Sequence, residues 1–107
     1  MKKYAFSTAA LYPLSSDIAL NLIGKAGFRY AELMPQAFSD VSDSFASRAL
    51  KSGVKVVSIH YPLSMFAMLY TSHPDMSEDG RRFSRDLVNL CKILGVSILV
   101  VHPHVPP

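Results

Sequence analysis

His60 and His102 each close a run of β-branched and aliphatic residues and each is followed within two positions by proline, in Ile59-His60-Tyr61-Pro62 and Val101-His102-Pro103-His104. Neutral imidazole is a ligand for Zn²⁺, Mn²⁺ or Fe²⁺ and a proton carrier near neutral pH. Buried parallel strands read as nearly continuous Val/Ile/Leu segments, and parallel α/β folds bind ligands beyond the carboxyl ends of their strands. Imidazoles at two such ends point to a metal or substrate site on one rim of a sheet. A catalytic zinc normally takes three protein ligands plus water. His104, on the same extended segment as His102, is the candidate third.

Glu32 is the next residue with chemistry to offer. It sits inside the short apolar segment Tyr30–Met34, on the face shared with Tyr30 and Met34. A carboxylate there is costly unless it is paired, hydrogen-bonded or bound to a metal. Two readings stay open: contact with a substrate or support of a metal ligand, and a structural ion pair with Arg29 or a residue of a neighbouring strand. His73, in His73-Pro74-Asp75, lies in a loop of the kind that carries substrate contacts in barrels, with a solvated loop histidine as the plainer reading. The apolar stretch holding Tyr61, Met65, Phe66, Met68, Leu69 and Tyr70 reads as packing over the helix layer rather than as a cover for a pocket. Cys91 reads as core. No glycine-rich phosphate cradle and no serine nucleophile elbow is present.

These residues need a scaffold, and the hydrophobic pattern alternates between period two and period 3.6, each helical stretch ending in glycine. Tyr4–Thr8 predicts a first strand, followed by a turn through Tyr12-Pro13. Ser15 or Ser16 caps a helix whose stripe is Ile18, Leu22, Ile23 and Ala26, ended by Gly27 and slightly weakened by Gly24. Tyr30–Met34 is a second strand. Asp40 or Ser42 opens a second helix, with Val41, Phe45 and Ala49 on one face up to Gly53. Val54–His60 is a third strand, on which regular alternation puts Val56, Ser58 and His60 on one face. The longest helix starts from a Ser77 cap, carries Phe83, Leu87, Leu90, Cys91 and Leu94 inward, and stops at Gly95. Val96 to about Val101 is the fourth strand.

The order β-α-β-α-β-α-β implies parallel strands joined by right-handed crossovers. A chain of 107 residues, half of them apolar and 18% charged, suits one α/β domain with strands buried on both faces. A flavodoxin-like open sheet is complete at this size, whereas a (β/α)₈ TIM barrel needs ~250 residues and reaches only its midpoint. The +3 charge is scattered except at Arg81, Arg82 and Arg85, which argues against a nucleic-acid partner. One cysteine excludes an internal disulfide. With no signal-like or membrane-spanning run, the expectation is a cytoplasmic protein without a membrane partner.

The segment Gly27-Phe28-Arg29-Tyr30-Ala31-Glu32-Leu33 resembles the second-strand signature of the xylose-isomerase-like TIM barrels, which include sugar-phosphate isomerases and epimerases and endonuclease IV. Ile59-His60-Tyr61-Pro62-Leu63, the loop with His73-Pro74, the helix from Ser77 and Val100-Val101-His102-Pro103 resemble the third-to-fourth-strand stretch of the endonuclease IV branch. The resemblance implies the amino-terminal half of such a barrel, with the two strand-end histidines, His60 and His102, as ligands of a divalent metal ion, zinc or manganese. Glu32 and His73 then contact a sugar or sugar phosphate or support the ligands. The alternatives are a metal-dependent DNA phosphodiesterase and a non-catalytic half-barrel that associates. The later ligands and the carboxylate bases are expected beyond Pro107, leaving this chain alone inactive. Unpaired sheet edges imply a homo-oligomer.

Overall fold

The computed structural model describes residues 4–103, so that His104 lies outside the described residues. Its elements run β1 (Ala5–Ser7), α1 (Ser16–Lys25), β2 (Tyr30–Leu33), α2 (Asp43–Lys51), β3 (Lys55–His60), α3 (Pro74–Leu94) and β4 (Leu99–Val100), with short 3₁₀ turns at Thr8–Leu11, Phe38–Val41 and Phe66–Leu69. All strand pairs are parallel and the sheet order is β1-β2-β3-β4. A flavodoxin-like sheet reverses its strand order at a switch point. No reversal occurs among the described residues, and α1 packs on α2 and α2 on α3 as one layer.

That layer and one face of the sheet enclose a single core. Leu20 and Ile23 of α1, Phe45, Ala46 and Ala49 of α2, and Phe83, Leu87, Leu90 and Cys91 of α3 close over Ala31, Leu33, Val56 and Ile59. Each large apolar side chain taken out of water there contributes roughly 1.5–3 kcal/mol. The predicted stripes of α2 and α3 face this core. The stripe of α1 is rotated: Ala19, Leu20 and Ile23 are buried, whereas Ile18 and Leu22 are exposed.

Capping sets where the helices begin. The Ser42 hydroxyl accepts the Phe45 N–H at 3.1 Å and opens α2. Helix α3 begins a turn earlier than predicted, because His73 rather than Ser77 is its cap: His73 Nδ1 accepts the Met76 N–H at 3.3 Å, and Pro74 supplies a φ already suited to a first helical residue. Ser77 instead lies within the helix, where its hydroxyl accepts from Arg81 at 3.0 Å. Gly95 ends α3 in the left-handed conformation, φ 69°, returning its N–H to the carbonyls of Cys91 and Lys92.

Strand β3 departs from regular alternation. Its register with β2 runs Tyr30↔Lys55 and Ala31↔Val56, then Glu32↔Ser58 and Leu33↔Ile59, so Val57 is the extra residue of a bulge. Val56 and Ile59 therefore both enter the core, at 5% and 0% exposure, while Ser58 and His60 turn to the opposite, open face. The expectation that Val56 shares a face with Ser58 and His60 is corrected by this bulge. It re-aims the carboxyl-terminal half of the strand, which is the half that carries the histidine.

Candidate functional site

The site is built by the β3–β4 ladder. Ile59 and His60 pair with Leu99 and Val100, and the Ile59 and Tyr61 N–H groups donate to the carbonyls of Ile98 and Val100 at 3.0 and 2.8 Å. Side chains two residues apart on an extended chain leave on the same side. The chain beyond β4 therefore brings His102 to the face that already carries His60. The two rings lie 4.8 Å apart between centroids, inclined at 48°, with Nε2 of His60 2.9 Å from Nε2 of His102.

Hydrogen bonding orients the His60 ring toward His102. His60 Nδ1 lies 2.7 Å from the Tyr61 carbonyl oxygen, which can only accept, so Nδ1 carries the proton. The tautomer with its proton on Nδ1 has a lone pair at Nε2. With that tautomer, the 2.9 Å contact is a hydrogen bond in which His102 Nε2–H donates to the lone pair. A carbonyl that holds Nδ1–H is the usual device for orienting a metal-ligating histidine.

Glu32 is on the same open face. It forms a row with Ser7 and Ser58 across β1, β2 and β3, and the Ser58 hydroxyl donates to Glu32 Oε2 at 3.2 Å. Among the described residues no ion pair involves Glu32, so the Arg29 pairing is not formed. His73 is engaged locally: its N–H donates to the Thr71 hydroxyl at 3.1 Å and its Nδ1 caps α3.

The loop between β3 and α3 is mostly packing, as its composition implies. Tyr61 is buried, and Met65 and Phe66 lie against the core. Tyr70 does more: its hydroxyl donates to the His102 carbonyl at 2.7 Å. Nothing in the sequence signalled that bond, which spans 32 positions. A second group missed from sequence is Asp40, whose buried Oδ2 accepts from the Ser16 hydroxyl and the Gln36 N–H, each at 2.8 Å. Cys91 is core, and burial pushes its thiol above the ordinary range, away from thiolate chemistry.

Two imidazoles are the ligand donors that come together; no group of three His, Cys, Asp or Glu suited to a metal ion occurs among the described residues. A cavity of about 560 Å³ is lined by Lys25, Arg29 and Ser52 among others. It opens at the amino ends of the strands, opposite the histidines and away from where parallel sheets bind ligands. No described helix is long and apolar enough to cross a membrane. Comparison with protein-family models, curated proteins and solved structures returned no match. The class that fold and site define is an α/β protein with an all-parallel sheet and a histidine pair at its carboxyl rim.

Proposed function

We propose that this chain forms the β1–β4 part of a xylose-isomerase-like barrel that isomerises or epimerises a sugar or sugar phosphate with the help of a divalent cation. The observation that carries the reading is the 2.9 Å approach of two Nε2 atoms at the carboxyl ends of adjacent parallel strands. The donor chemistry fits in part: two imidazoles suit Zn²⁺ or Mn²⁺, and a third protein ligand comes from His104 or from the barrel's other strands. Sequential strand order and a helix layer on one face are the arrangement that repeated β/α units use in a closed barrel, which supports the same reading.

A bound cation supplies Lewis-acid polarisation of vicinal substrate oxygens. The chain's own residues prepare the place. The Tyr61 carbonyl holds His60 with Nε2 outward, and Ser58 holds Glu32 on the same face, where its carboxylate accepts a substrate hydroxyl. The carboxylates that move the proton between adjacent carbons are assigned to the other strands.

Zn²⁺ or Mn²⁺ titrated into the chain should shift the ring resonances of His60 and His102 together, and His60→Ala or His102→Ala should each weaken binding at least about tenfold. A titration that leaves both rings unmoved removes the metal reading. The imidazole pair also favours a second reading, an endonuclease IV-like phosphodiesterase. Assay of a complete barrel containing this unit separates the two, since cleavage of abasic-site DNA with no conversion of ketoses selects the phosphodiesterase.

A further inference from the structure

The ladder that aligns β4 with β3 ends at the Tyr61 N–H to Val100 carbonyl bond, and β4 itself is only Leu99–Val100. His102 lies two residues past that last bond, exposed to solvent. Pro103 follows it and offers no N–H to extend the ladder. A backbone segment left untied loses conformational entropy when it is fixed in one conformation. Yet His102 Nε2 sits within hydrogen-bond distance of His60. Among the described residues, the Tyr70 hydroxyl on the His102 carbonyl is the backbone contact that ties this segment down.

Tyr70 is itself held from beneath. Its ring meets Phe66 edge-on, with centroids 6.3 Å apart, and Phe66 packs against the core. The turn carrying both is seated on α3 at Gly80, where a Cβ would stand 2.8 Å from the Met68 carbonyl oxygen, so the turn lies directly on helix backbone.

We propose that Tyr70 is the positioning residue of the histidine pair: its hydroxyl sets the strand end from which His102 reaches His60, as the Tyr61 carbonyl sets the ring of His60. The inference rests on the pair's geometry, and it rests on the reading above only where metal affinity is concerned.

The test is Tyr70→Phe, which keeps the ring against Phe66 and removes the hydroxyl, in the metal-free chain with ¹⁵N-labelled histidine. Wild type should show Nδ1–H on His60 and a ¹⁵N–¹⁵N coupling between the two Nε2 atoms. In Tyr70→Phe the coupling should vanish while His60 keeps Nδ1–H and the thermal midpoint stays unchanged. Zn²⁺ affinity, where the metal binds, should fall about tenfold, the lower end for losing a group that orients a ligand. Leu69→Ala trims the same turn but retains the hydroxyl, and should leave the coupling intact. A coupling that survives Tyr70→Phe, that is lost equally in Leu69→Ala, or that is missing from wild type overturns the proposal. Loss of coupling only in Tyr70→Phe, in a chain that binds no metal, supports the positioning role and removes the metal reading instead.

Discussion

At the scale of single residues, the polar groups that matter are those whose bonds cannot be replaced by water. Asp40 is 7% exposed, and one of its oxygens accepts from both Ser16 of α1 and the Gln36 N–H. It joins the first helix to the turn after β2. Asp40→Ala leaves the buried Ser16 hydroxyl and the part-buried Gln36 N–H short of their acceptor, at about 1–3 kcal/mol for a fully buried group. Urea denaturation should register a loss of about 2–4 kcal/mol with an unchanged slope. Asp17 is a milder case. The Ser15 hydroxyl first, and Arg48 of α2 with its 3.2 Å ion pair as a lesser cause, hold its carboxyl below the ordinary range. A folded-state value below the unfolded one stabilises the protein above the unfolded value, and that contribution is lost as pH falls through the folded value. Ser15→Ala should therefore cost stability at pH 7, by no more than about 1 kcal/mol for a partly exposed group, and cost nothing at a pH below both values. Chemical denaturation at the two pH values checks the sign.

At the scale of elements, the two glycines inside helices make opposite predictions. A Cβ at Gly80 meets the Met68 carbonyl at 2.8 Å, and backbone cannot swing aside; a Cβ at Gly24 meets Val54 Cγ2 at 3.1 Å, the end of a side chain that can give. Alanine recovers about 1 kcal/mol of helix propensity at either site. Gly80→Ala should nonetheless destabilise by about 1–2 kcal/mol through overpacking, and Gly24→Ala should be neutral or slightly stabilising. Thermal midpoints compared side by side decide it. The same contrast shows what the sequence could reveal. Seven elements were legible because period and terminal glycines agreed, even where the cap of α3 was misplaced, and the faces of α2 and α3 followed from strong spacing. The face of α1 was not, because Ala19 and Leu20 compete with Ile18 and Leu22 for the same short helix. Nor was the bulge at Val57, since Val-Val-Ser-Ile alternates equally well in a regular strand. His60 and His102 were legible as strand-end residues. The bonds that hold them, from Tyr61 and Tyr70, depend on tertiary contacts that local pattern does not encode.

At the scale of the whole molecule, register partners show where apolar side chains of the sheet stand uncovered. Ile59 and Leu99 stand side by side, so their side chains leave the sheet on one face; Ile59 is 0% exposed beneath the helix layer and Leu99 is 39% exposed. Val101 on the same side and Ile98 on the other are also exposed, at 43% and 56%. Strands of a parallel sheet are ordinarily covered on both faces, and long apolar edges template pairing with another chain. At the opposite edge, Phe6, Leu11, Leu22 and Phe28 line an apolar groove of about 230 Å³. In a complete barrel these two edges are where further strands and their helices belong. The isolated chain has the same apolar surface to bury, and a second copy presents a matching parallel edge. Sedimentation velocity at micromolar concentration should therefore show self-association. Leu99→Lys with Val101→Lys should shift the chain to monomer while leaving its helical circular dichroism intact. Those charges remove the driving force without touching the core, because neither residue belongs to it. A wild-type chain that sediments as a monomer and unfolds in one cooperative transition would show that four strands suffice by themselves, and the half-barrel reading would then give way to a self-contained open sheet.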